Sequence, residues 1–103
     1  MATKQNTQVV CVAEHLALPG KEKDLVDALH ILIEPTLKEG GCLRYELNQR
    51  EDEPRWITFI EKWKDQKSFD DHCAMPYISH YFNNVRPKLV ERIEVKLYRE
   101  FLP

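Results

Sequence analysis

With 103 residues, 43% of them hydrophobic, the chain has enough sequence for one domain and one core, hiding roughly 65% of its extended surface, and too little for separate cofactor and substrate domains. Fifteen Lys and Arg against 17 Asp and Glu leave a formal charge of -2, which excludes the basic footprint a nucleic-acid binder needs to displace counterions from phosphate. The segment Met1 to Gln8 is polar and no run of about 18 apolar residues occurs, so no membrane partner is expected and the cytoplasm is the expected location.

Val9 to Leu18 carries β-branched residues and ends at Pro19-Gly20, which predicts a strand followed by a turn. From Lys21 to Glu39 the apolar residues Leu25, Val26, Leu29, Leu32, Ile33 and Leu37 follow helical spacing. Pro35 clashes with the preceding turn, so a kink or break is expected between Ile31 and Pro35, and Gly40-Gly41 is expected to stop the helix in a left-handed conformation. Cys42 to Gln49 alternates Leu43, Tyr45 and Leu47 with polar residues, and with Arg55 to Trp63 it predicts an antiparallel hairpin. Gln66 to Ala74 and Tyr77 to Val85 read as two helices divided by Pro76. Ile93, Val95, Leu97 and Phe101 mark a last strand. The order β-α-β-β-α-β predicts an α+β fold of ferredoxin-like type, a four-stranded antiparallel sheet with helices on one face.

Such a sheet leaves its other face open. Strand 1 nevertheless carries apolar residues on both faces, Val9, Cys11, Ala13 and Ala17 on one and Val10, Val12, Leu16 and Leu18 on the other. Strand 3 does the same with Ile57, Phe59 and Trp63 against Trp56 and Ile60. A solvated face would be polar, so a homodimer with two sheets packed face to face is expected. Cys11, Cys42 and Cys73 are odd in number and lie in apolar-patterned segments, which predicts reduced, buried thiols.

Four stretches, PGKEKDL at Pro19 to Leu25, EPTLKEGGCLRYEL at Glu34 to Leu47, FIEKW at Phe59 to Trp63 and DQKSFDDHCAMP at Asp65 to Pro76, resemble the antibiotic biosynthesis monooxygenase family. These are small dimeric α+β barrel proteins that include cofactor-independent quinol monooxygenases. The resemblance covers about Val9 to Tyr98 and implies one such domain, with a core of about residues 9–101. It also implies a pocket between the helices and the sheet. Strand periodicity then sets Cys11, Ala13, His15 and Ala17 on one face with Ile57, Phe59, Glu61 and Trp63, the small alanines leaving room before an imidazole.

His72, at a position where the family commonly has histidine, is the first candidate for a general base acting on a phenolic hydroxyl. His15 is the second; its alternative is an edge-strand histidine near water. Trp63 matches a pocket-lining tryptophan of related monooxygenases, and Phe59 stands where a well-studied type has asparagine. Tyr77 replaces a histidine that often follows the proline, and Tyr81 falls four residues later on the same helical face. Either hydroxyl could bind substrate, and either ring could simply pack. His30 and His80 are expected to face solvent. No metal-ligand spacing and no glycine-rich phosphate loop occurs, so no cofactor is expected. The implied activity is a monooxygenase oxidising a small quinol or polyphenol with O2. The alternatives are an isomerase on a small polar metabolite and a non-catalytic ligand-binding dimer.

Overall fold

The computed structural model describes residues 7–103. Strands β1 (Val9–Ala17), β2 (Cys42–Gln49), β3 (Trp56–Trp63) and β4 (Val90–Tyr98) form one antiparallel sheet in the order β2-β3-β1-β4. The helices lie on one face, in the ferredoxin-like arrangement. Both central strands bury alternate residues against them, and Trp63, Phe59, Leu25 and Leu29 are fully buried there. Each such side chain contributes about 1.5–3 kcal/mol through lost apolar surface.

The first helix divides into α1 (Glu22–His30) and α2 (Ile33–Leu37). The break falls where the Pro35 ring would meet the carbonyl of Ile31, four residues back. It also turns the second piece about its axis, so that Thr36 is buried and Leu37 is exposed, the reverse of the periodic reading. Gly40 and Gly41 are not left-handed; among the described residues only Gly20 has a positive φ. Gly41 is needed for a different reason, because a Cβ there would lie 2.3 Å from the Cβ of Ser68.

In β2 the register shifts between Cys42 and Arg44, a bulge that turns Leu43 out to solvent and keeps Tyr45 on the helix face. The second helical region comprises α3 (Gln66–Cys73), α4 (Pro76–His80), a π-helical turn (Tyr81–Val85) and α5 (Arg86–Leu89), and so runs beyond Val85. Asp65 caps α3 by accepting a hydrogen bond from the Ser68 N–H at 2.8 Å, worth about 1 kcal/mol. The π turn sends the Arg86 N–H back to the Tyr81 carbonyl just before Pro87, whose ring the ordinary helical turn would crowd.

On β4, an edge strand, only Ile93 among the three alternating apolar residues is half-buried, while Val95 and Leu97 are exposed. Of the three cysteines, all free, Cys11 is buried, Cys42 half-buried and Cys73 exposed, so the expectation of three buried thiols is corrected. No helix among the described residues is long and apolar enough to cross a membrane.

Candidate active site

A cavity of about 90 Å3 lies between the sheet and the helices. Its floor comes from three cross-strand pairs of β1 and β3: Cys11 opposite Glu61, Ala13 opposite Phe59 and His15 opposite Ile57. All of these except Ile57 line it. Ala13, at the middle, provides the room. The roof includes Leu29 and Leu32 of α1 and the segment that follows it, His72 and Cys73 of α3, and Tyr81 and Phe82 of the π turn.

At the Glu61 end, His72 Nδ1 lies 2.9 Å from Glu39 Oε2, with both side chains at least nine-tenths buried. The Tyr77 hydroxyl donates to the same oxygen and lies 3.4 Å from Thr36 Oγ1. A carboxylate accepting from Nδ1–H leaves the lone pair of Nε2 free. Burial lowers the imidazole's pKa below the ordinary value, and Glu39 opposes that shift. Beside it, Glu61 accepts a 3.0 Å hydrogen bond from Trp63 Nε1, and burial pushes its carboxyl up to about 7. The Trp63 ring sits 4.5 Å from that of His72, and Tyr45 stacks on Phe59 at 4.2 Å.

The His15 end differs. His15 is only 2% exposed, on an interior strand, which corrects the edge-strand alternative. Neither ring nitrogen has a hydrogen-bond partner among the described residues, nor does the Tyr81 hydroxyl. The two rings are 5.8 Å apart. Burial lowers the His15 pKa to about 4; the nearby Ala13 backbone, outside hydrogen-bond geometry, opposes that shift and the positive charge of Arg86 adds to it, so the ring is neutral.

Of the sequence candidates, His72, His15, Phe59 and Tyr81 line the cavity. Trp63 and Tyr77 are not in its wall. Trp63 is fully buried behind His72, and Tyr77 turns to Glu39. His30 and His80 are exposed, as expected. Sequence reasoning set Glu61 on the cavity face without a role and passed over Glu39 and Tyr45. Nothing local marks Glu39, which stands 33 residues before its histidine in a helix-to-strand turn. Among the described residues no three His, Cys, Asp or Glu side chains converge as metal ligands would.

The profile of a family described as antibiotic biosynthesis monooxygenase matches residues 8–84. The crystal structure of protein SO0527 from Shewanella oneidensis is 48% identical, with a TM-score of 0.95 over 99% of this chain and all of that one. An uncharacterized Synechocystis protein, sll1783, is 27% identical over 79% of this chain, which spans 55% of that relative's length. Rv0793 of Mycobacterium tuberculosis, named as a candidate monooxygenase, is 26% identical over 84% of this chain and 85% of its own.

Proposed function

Because the chain belongs to the antibiotic biosynthesis monooxygenase family, we propose that it is a monooxygenase that oxidises a small aromatic hydroxyl compound, a quinol or polyphenol, with O2 and without a cofactor. The observation that carries this reading is the His72–Glu39 pair at the wall of an apolar cavity that Glu61 also lines, with the Nδ1 of His72 taken by Glu39. A phenol gives up an electron to O2 far more readily as its anion. His72 Nε2 takes the phenolic proton, with Glu39 holding the tautomer and stabilising the imidazolium that forms. The anion passes one electron to O2, and the radical and superoxide combine at a ring carbon. The adduct takes up a proton from His72 to become a hydroperoxide. Loss of water then leaves a hydroxylated quinone, one oxygen atom in the product and one in the water. Glu61 is a second group able to hold a proton near neutrality. Phe59 and Tyr45 hold the ring, and Trp63 fixes Glu61 and backs His72.

Oxygen consumption tests the proposal. Under air, a panel of quinols and polyphenols should show protein-dependent O2 uptake above spontaneous oxidation. Turnover under nitrogen would move the activity to isomerisation, and binding without turnover would make the protein a carrier.

The reading includes a homodimer in the cytoplasm, where the free thiols stay reduced. It is supported by the sheet face away from the helices, where Val10, Val12, Leu16, Trp56 and Ile60 form an apolar centre, each only half-buried. Specific assemblies bury above about 1,000 Å2 in total. Light scattering that finds only a 12.2 kDa particle at micromolar concentration would remove the dimer.

A further inference from the structure

We propose that His15 and the Tyr81 hydroxyl form an oxygen-binding subsite at the end of the cavity remote from Glu61, so that the preferred ligand is a ring compound with oxygen functions at two opposite ends. Of the four buried side-chain polar atoms without a hydrogen-bond partner among the described residues, three meet in one place, both nitrogens of His15 and the oxygen of Tyr81; the fourth is Arg86 Nε, and the charge of Arg86 reaches both side chains. Buried polar groups are hydrogen-bonded in the great majority of cases, and each left unpaired costs about 1–3 kcal/mol. Both residues are nearly fully buried, their rings adjoin, and both border the cavity. The subsite is therefore arranged for a group that the described residues do not supply.

The chemistry of that group follows from the donors. A hydroxyl oxygen can accept from Tyr81 O–H while donating to the bare nitrogen of a neutral imidazole; a carbonyl oxygen can accept from Tyr81 O–H and from the imidazole N–H. The spacing sets the ligand's shape. His15 lies four residues beyond Cys11, the strand partner of Glu61, so the two polar ends are about 13 Å apart at the backbone. Ala13 and Phe59 make the stretch between them apolar. One hydroxyl reaches one end only. Oxygen atoms para across a ring address both, with the ring over Ala13.

This deepens the proposed function by naming the arrangement of its substrate, but binding at the His15 end does not require turnover. The probe is 4-hydroxybenzaldehyde, compared with its 3-hydroxy isomer and with phenol, by calorimetric titration of the wild-type protein. The para compound should bind roughly 3- to 10-fold more tightly than phenol, the range for one added hydrogen-bonded group, and more tightly than the meta isomer. Tyr81→Phe and His15→Leu should each reduce that preference to within about two-fold while raising the melting temperature of the unliganded protein, because a buried unpaired polar atom is gone. Equal affinity for para compound and phenol, as an ordered water at the subsite would produce, overturns the proposal. So does a preference retained in both variants, or no binding of any probe at millimolar concentration. A protein that binds the para compound as described yet consumes no O2 keeps the subsite and loses the monooxygenase reading.

Discussion

At the Glu61 end of the cavity His72, Glu39, Tyr77 and Thr36 are joined in a chain of contacts, and Glu61 accepts from Trp63. At the His15 end, four residues along β1 from Cys11, the cross-strand partner of Glu61, two aromatic side chains bury three polar atoms without a partner among the described residues. A satisfied network holds its groups in one geometry before any ligand arrives, which suits proton transfer. An unsatisfied one lowers the stability of the empty protein and suits recognition, because a ligand that completes the hydrogen bonds gains what the empty protein lacks.

The sharpest way to break this division is His72→Ala. Turnover of a quinol should fall by about 10^2- to 10^4-fold, the range for losing a positioned base, while the fold persists. Unchanged kinetics with a lowered melting temperature would make His72 structural. Glu39→Gln comes next, with a loss of about 10- to 100-fold, as for one hydrogen bond to a charged group. Because Glu39 opposes the burial that lowers the pKa of His72, the acid limb of the pH–rate profile should also move to lower pH in this variant. A limb that stays in place would deny Glu39 its role in setting the base.

The two ends should also respond to pH with opposite sign. Folded Glu61 keeps its proton up to about 7, whereas the unfolded carboxyl loses it near 4.5. Its contribution to stability is therefore complete below pH 4.5 and is lost as pH rises to 7. Folded His15 stays neutral down to about 4, whereas the unfolded imidazole titrates near 6.5. Its contribution is complete above pH 6.5 and is lost as pH falls to 4. Urea melts should thus show Glu61→Gln gaining on wild type between pH 4.5 and 7, by up to about 3 kcal/mol. His15→Leu should gain as pH falls through 6.5 to 4. Parallel stability curves for wild type and both variants would mean that neither side chain titrates as its burial requires. The smallest effect is expected for Gly41→Ala, about 1–3 kcal/mol of destabilisation from overpacking against Ser68. It should be accompanied by reduced turnover, since the turn carrying Glu39 is pushed away from the helix carrying His72.

Much of the scaffold was legible in residue spacing. The order of elements, the break before Pro35, the two-faced strands β1 and β3 and the shared face of Ala13, His15, Phe59 and Glu61 all follow from periods of 2 and 3.6 and from proline sterics. The same topology makes β1 an interior strand, which keeps His15 away from a sheet edge and from water. Other features depend on small local rotations. The break between α1 and α2 exchanged Thr36 for Leu37 at the core, and the bulge in β2 turned Leu43 outward.

What the sequence by itself determined is therefore the sheet, its helical cover and the residues available to the cavity, because each rests on local geometry repeated along the chain. Tertiary structure alone decided that Glu39 meets His72, that Tyr77 faces Glu39 rather than the cavity, and that His15 and Tyr81 come together without partners among the described residues. Those contacts join residues far apart in the chain. Their geometry is set by where a turn, a bulge and a π-helical turn bring separate elements together, and spacing within one segment carries no record of the distance across to another.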